Sequence, residues 1–147
     1  MLFTCFVDFS KAFDCVPRNK LFDKIESVGV KGNFLSIIKS MYEDDSSAIK
    51  KDGLVTESFR CYSGVKQGCM LSPTLFNLYL SDLSSVLKQT DISDPINIAE
   101  GSPLNCLLYA DDLLLLSKNP GDLQLLLNRL MYLTLFTKHI IGILECT

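Results

Sequence analysis

The sequence predicts an α+β domain, an antiparallel sheet with helices packed on one face. Three observations carry this. Apolar runs at residues 2–9, 104–108 and 113–116 have the length and composition of buried strands. Other segments repeat apolar residues at three- and four-residue spacing, as helices do. The order is strand, helices, hairpin, helix, strand pair, helix. That is a mixed order and not a regular alternation of strand and helix.

Each element has a local reason. Residues 2–9 are apolar with one acid, Asp8, near the end, and read as a buried strand. Pro17 opens a helix whose face is Leu21, Phe22, Ile25 and Val28, and Gly29 stops it. A second helix has Phe34, Ile37, Ile38, Met41 and Tyr42 on one face, and Asp44 to Ser47 end it. Residues 48–61 form a hairpin around Asp52-Gly53, the strongest short turn signal in the chain. Residues 63–71 carry two glycines and read as a loop. Ser72 then reads as an N-cap with Pro73 at the first helical position, ahead of a stripe of Phe76, Tyr79, Leu80, Leu83 and Leu87. Residues 89–103 hold two prolines, a glycine and three acids, and are expected to be an exposed connection. After the strand pair, Asn119-Pro120 repeats the cap signal, and Leu123, Leu126, Leu127, Leu130 and Met131 supply the next face. Residues 140–144 are apolar enough for a last strand. No repeat, low-complexity tract or linker interrupts residues 1–147, which read as one domain.

Composition narrows the classes. A chain of 147 residues that is 48% hydrophobic can bury a real core, so it is globular and not disordered. No apolar run approaches a membrane span, and residues 1–5 lack a signal peptide's basic start, so neither a membrane nor secretion is expected. Six cysteines without a C-x-x-C pair, and a single histidine, His139, argue against zinc. Their apolar surroundings favour reduced thiols inside a cell. The net charge of −3 argues against nucleic-acid binding by this chain alone, because such affinity comes mainly from Lys and Arg on phosphates.

The chemistry concentrates at Tyr109-Ala110-Asp111-Asp112, an acidic pair at the joint of two apolar strands. Adjacent carboxylates repel, so a divalent metal is the expected companion. If the strand ending in Asp8 neighbours this hairpin, three carboxylates converge at one sheet edge. That suits two Mg²⁺ ions roughly 3.5–4 Å apart, with Mn²⁺ as a substitute, in an in-line phosphoryl displacement. The competing reading makes these acids solvated loop ends. The loop Ser63-Gly64-Val65-Lys66-Gln67-Gly68-Cys69 is a weaker signal. Its glycines allow close backbone approach to a ligand, and Gln67 can donate and accept.

Taken with Phe6 to Asp14, Val16-Pro17-Arg18, Leu71-Ser72-Pro73 and Leu75-Phe76-Asn77, these segments resemble the palm of reverse transcriptases. The likeness is greatest to the non-LTR (LINE-type) retrotransposon enzymes and runs from Phe3 to about Leu130. Group II intron reverse transcriptases share the Tyr-Ala-Asp-Asp hairpin. RNA-dependent RNA polymerases differ, usually having Gly before the aspartates and no Phe at the gate. The resemblance implies a palm with a ferredoxin-like core, and catalytic, metal-holding Asp8, Asp111 and Asp112. It implies that backbone amides of Phe9, Ser10, Lys11, Ala12 and Phe13 hold the triphosphate. Phe13 would be the aromatic gate against a 2′-hydroxyl, selecting dNTPs. Gln67 and Gly68 would line the nucleotide and template pocket, and Tyr109 would pack beside the primer end.

The implied partners are an RNA template, a DNA primer and dNTPs. The fingers and thumb are missing from these residues and would belong to a longer polyprotein. The implied location is intracellular, and the nucleus or cytoplasm or both if the retroelement is eukaryotic. Plainer roles compete: Phe13 as core, Tyr109 as half-buried packing, Lys11 and Lys66 as solvated lysines. Cys146 stands where the family has a lysine near the departing pyrophosphate, and losing a general acid costs about 10²–10⁴ in rate. The alternative function is an inactive retroelement relic, at most a binding or interaction module.

Overall fold

The computed structural model describes residues 1–99, 102–137 and 141–146. In chain order the elements are β1 (Phe3–Phe9), α1 (Arg18–Ser27), α2 (Gly32–Glu43), β2 (Ser46–Ser47), β3 (Lys50–Lys51), β4 (Leu54–Val55) and β5 (Phe59–Arg60). They continue with α3 (Ser72–Lys88), β6 (Ile96–Ala99), β7 (Ser102–Leu104), β8 (Cys106–Tyr109), β9 (Asp112–Ser117), α4 (Pro120–Thr137) and β10 (Ile141–Cys146). The expected α+β architecture is present. A four-stranded antiparallel sheet in the order β10-β1-β9-β8 carries the helices on one face.

Alternation along the strands makes the two faces different. Cys5, Val7 and Phe9 of β1, Leu113 and Leu115 of β9, and Cys106 of β8 are buried. They join Leu21, Ile25, Phe76, Leu80, Leu126 and Leu130 of the helices in one core. The opposite face carries Phe6, Asp8, Leu107, Tyr109 and Asp112, all exposed. Because the pleat repeats every two residues, a slip of one position would turn Asp8 into the core. The burial of Val7 and Phe9 on either side of it therefore holds Asp8 outward.

Several termini form as their sequence dictates. Gly29 takes φ +96. Its N–H reaches the Glu26 carbonyl at 3.0 Å, while the Val30 N–H reaches that of Ile25 at 3.3 Å. Those two bonds are a Schellman cap, and only glycine takes that backbone without strain. At the start of α4 the Asp122 N–H donates to Asn119 Oδ1 at 2.8 Å, and Asn119 Nδ2 donates back to the Asp122 carboxylate at 2.7 Å. The cap expected at Asn119 is thus reciprocal.

Other expectations are corrected. In α2 the buried residues are Leu35, Ile38 and Tyr42, whereas Phe34 and Ile37 are exposed. Val28 caps α1 and is exposed, and Met131 of α4 is exposed. The cap of α3 is Leu71, one residue before Ser72, whose hydroxyl instead donates to the Lys66 carbonyl at 2.6 Å. The connection at 89–103 contains the β6–β7 hairpin, and its Ser93 and Asp94 amides donate to buried Asp122. The last strand exists as β10, and Ile140, where it was expected to begin, lies outside the described residues. Among the cysteines, Cys5 and Cys106 are buried and Cys15, Cys61 and Cys69 are half-buried. Among the described residues, no helix is long and apolar enough to cross a membrane.

Leu115 is fully buried in β9, between β1 and β8. Leu115→Ala is expected to cost about 2–5 kcal/mol through lost transfer energy and the residual cavity, measured as a shift in urea midpoint at constant slope.

Candidate active site

The sheet register brings the first acid to the third. Asp8 of β1 is the direct cross-strand partner of Asp112 of β9, and Asp112 is in turn the partner of Tyr109 of β8. The Phe9 N–H points to the Asp111 carbonyl at 3.4 Å. That bond skips Asp8 and Asp112, so they form a non-hydrogen-bonded pair, the closer kind, with Cα atoms typically about 4.5 Å apart. Of the three predicted metal-holding acids, Asp8 and Asp112 therefore stand opposite each other at one end of the open face, and Asp111 is adjacent to Asp112 in the turn.

The turn is tight. Tyr109 and Asp112 close a two-residue loop, Ala110-Asp111, and Ala110 takes φ +51 while Asp111 does not take a positive φ. An alanine there is strained by roughly 1–2 kcal/mol. Ala110→Gly is expected to raise stability by about 1 kcal/mol, visible as a higher melting temperature with the fold unchanged.

Electrostatically the site is an uncompensated anion. Among the described residues, no Lys or Arg forms an ion pair with Asp8, Asp111 or Asp112. Like charges directly opposite on a sheet destabilise it, and a cation reverses the sign. No three His, Cys, Asp or Glu side chains among the described residues stand together as a complete ion site. Mg²⁺ takes one or two carboxylates and fills its remaining positions with water and phosphate oxygens, so two opposed carboxylates and a neighbour are a fitting donor set.

The segment after β1 is built from turns. Lys11 takes φ +52, the Ala12 N–H donates to the Phe9 carbonyl at 3.1 Å, and the Asp14 and Cys15 amides donate to that of Lys11. Of the five amides expected to face a triphosphate, Phe9 and Ala12 are thus engaged internally. Ser10, Lys11 and Phe13 donate to no backbone carbonyl among the described residues. Phe13 is half-buried and stacked on Phe76 of α3, with centroids 4.4 Å apart, so the gate position is anchored to the core and partly open. Tyr109 is 83% exposed, which sets aside sheet packing as its role. Cys146 pairs in register with Cys5, three residues along β1 from Asp8, so that backbone position is displaced about 10 Å along the strand from Asp8 and lies on the neighbouring strand.

The Gln67 loop is fixed by groups that sequence reasoning missed. Arg18 uses all five donors: on the carbonyls of Gly64 (2.9 Å), Tyr42 (3.2 Å), Cys61 (2.6 Å) and Ser63 (3.1 Å), and on the Asp45 carboxylate. Its guanidinium also lies 4.9 Å from the centre of the Tyr42 ring. Lys66 pairs with the other Asp45 oxygen at 3.2 Å, so it is not a plain solvated lysine. The one signal for Arg18 was its place in the first turn of a helix, where a cation opposes the dipole and so has another task. Gly64, at φ +84, has no room for a side chain. A Cβ there would lie 2.8 Å from the Asp14 carbonyl oxygen and 2.9 Å from that of Phe13.

Comparison with known proteins decides the family. The profile of the reverse transcriptase (RNA-dependent DNA polymerase) family matches residues 3–135. The chain belongs to that family. This reverse transcriptase segment is 32% identical over 130 residues to the Pol polyprotein of the type-2 retrotransposable element R2DM of Drosophila melanogaster, covering 86% of this chain and 12% of that one. It is 31% identical over 116 residues to the RNA-directed DNA polymerase of the mobile element jockey of Drosophila funebris, covering 79% of this chain and 12% of the relative. These relatives bear out the non-LTR likeness, and the chain spans a small part of their length. The fold is shared with apo telomerase from Candida tropicalis truncated from its C-terminal domain, with TM-score 0.71 and 19% identity, over 99% of this chain and 31% of that one.

Partial burial acts to raise the Asp45 carboxyl, but the hydrogen bonds and charges of Lys66 and Arg18 outweigh it and hold the group below 3.8. A lowered native value stabilises the fold above the unfolded carboxyl range, and that contribution is lost as pH falls through the native value. Asp45→Asn is expected to flatten the acid limb of a urea-stability profile below about pH 4. Arg18→Met is expected to cost about 3–5 kcal/mol, since it strands a partly buried carboxylate and several carbonyls.

Proposed function

We propose that residues 1–147 are the palm of an RNA-directed DNA polymerase of a retrotransposon, which extends a DNA primer 3′-hydroxyl on an RNA template with dNTPs. The direct cross-strand pairing of Asp8 with Asp112 carries this reading. It places two acids from distant parts of the chain at one point, and among the described residues no Lys or Arg is paired with them.

Asp8, Asp112 and Asp111 would hold the divalent ions, Mg²⁺ or Mn²⁺ in its place. Bound there, the ions supply activation of the attacking oxygen and stabilisation of the leaving phosphate. The free amides of Ser10, Lys11 and Phe13 are suited to the triphosphate, since a turn of unpaired N–H groups is an anion-binding concavity. Phe13, held against Phe76, would press under the sugar and exclude a 2′-hydroxyl. Gln67 and Gly68 would line the nucleotide and template pocket, and exposed Tyr109, in register with Asp112, would lie beside the primer end. The activity belongs to the complete polypeptide, within a cell, with template and primer as partners.

A second reading is a relic that retains the fold and binds without catalysing. The lack of a preassembled three-ligand ion site among the described residues favours it. Primer extension by the complete polypeptide on an RNA template decides between them. The expected result is Mg²⁺-dependent extension that Asp8→Ala or Asp112→Ala abolishes, with Phe13→Val admitting NTPs. A folded protein that shows no extension at any Mg²⁺ concentration would sink the polymerase reading.

A further inference from the structure

The end of α3 meets the start of β8 at one buried residue. Asn105 stands between β7 and β8 and is 1% exposed. Its Nδ2 donates to the Leu87 carbonyl, in the last turn of α3, at 2.9 Å. Its own carbonyl accepts the Leu116 N–H of β9 at 3.0 Å, which carries the β8–β9 pairing one step beyond Cys106. The Cys106 thiol in turn meets the Ser84 side chain of the same helix. The Leu87 carbonyl also accepts the Thr90 N–H at 3.1 Å, so Thr90 and Asn105 approach one oxygen. This junction ties α3, which carries the Phe76 ring beneath Phe13, to the edge strand that ends at Tyr109.

Two polar atoms at the junction are left over. Asn105 Oδ1 and Thr90 Oγ1 are buried and, among the described residues, have no hydrogen-bond partner. The amide cannot solve this by turning over. Its NH₂ must face the Leu87 oxygen, because that oxygen only accepts, and this fixes the place of Oδ1. Nor can the Thr90 hydroxyl turn to Leu87, whose two lone pairs are engaged by the Thr90 N–H and Asn105 Nδ2. One leftover atom is therefore an acceptor that needs a donor, and the other is a hydroxyl that can serve either way. Burying such groups unpaired is costly, and native interiors satisfy them with protein groups or ordered water. The missing partner must donate to a carbonyl oxygen, pair with a hydroxyl and fit inside a packed interior. Water, with two donors and two acceptors, meets all three demands.

We propose that Asn105 and Thr90 hold an internal water molecule that bridges Asn105 Oδ1 to Thr90 Oγ1 and clamps the end of α3 to β8. The water donates one hydrogen to Asn105 Oδ1 and accepts that of the Thr90 hydroxyl. The Asn105–Leu87 bond is then one arm of the join, and the water is a second arm that resists twisting of the amide. The site stands on geometry alone and does not depend on the polymerase reading.

A crystal structure of the 147-residue chain that shows ordered water tests the site. Density for one water is expected within hydrogen-bond distance of both atoms. It is expected to remain in Thr90→Ser, which keeps the hydroxyl, and to disappear in Thr90→Val, which keeps the shape. A direct bond between Thr90 and Asn105, no density between them, or density that persists in Thr90→Val overturns the proposal. Amide hydrogen exchange in solution tests the clamp. Exchange at Leu116, whose N–H rests on Asn105, is expected to speed up about three- to tenfold in Thr90→Val and to stay near wild type in Thr90→Ser. Unchanged exchange in Thr90→Val overturns the clamping role. If Thr90→Val does not fold, the wild-type density still decides the site, and exchange in Thr90→Ala decides the clamp.

Discussion

The pairing of β1 with β9 is the constraint on which the rest of this molecule depends. Six consecutive cross-strand partners, from Phe3 with Ser117 to Asp8 with Asp112, fix one register. The apolar side chains on the core face enforce it, because Val7 and Leu113 are both buried and stand opposite each other. The energy that fixes the acids therefore comes from hydrophobic burial on the other side of the sheet, and the carboxylates themselves oppose it. Stability and chemistry are separated by the thickness of one strand. A substitution that loosened the apolar face would misplace the acids without touching them.

The second half of the site depends on polar bonds to backbone. The segment after β1 and the Gln67 loop are sewn together through carbonyls, with Arg18 holding the loop from its other side and Gly64 as the point of closest approach. Arginine suits this because its five donors diverge in a plane and can serve several acceptors at once, which lysine's compact head cannot. Asp45 balances the charge and, with Lys66, ties the end of α2 into the same cluster. The two halves meet between Phe9 and Phe13, where β1 turns.

How much of this was legible follows from where each signal lies. The strands could be read because uninterrupted apolar runs meeting at a two-residue acidic joint fit few arrangements besides a buried hairpin with a polar tip. The facing of α2 could not, because Phe34 and Ile37 are as apolar as Leu35 and Ile38, and periodicity alone does not choose between adjacent stripes. The β6–β7 hairpin was hidden by Pro103 and by short strands of mixed character. Arg18 escaped notice because its partners are largely main-chain groups, which every residue has and no sequence pattern announces. The direct opposition of Asp8 and Asp112 was expected as a neighbourhood, but its register needed the paired strands.

The sheet order also has a consequence for synthesis. β1 is an inner strand whose two neighbours, β9 and β10, come from the far end of the chain. While the ribosome makes the intervening stretch of about a hundred residues, at roughly 5–20 residues per second, this greasy ribbon waits for several seconds without its partners. Helices α1 to α3 can form in that interval, but they have no finished floor to lie on. Nascent copies should lean on chaperones during this wait, and a ribosome stall before β9 would leave a sticky, half-built polypeptide.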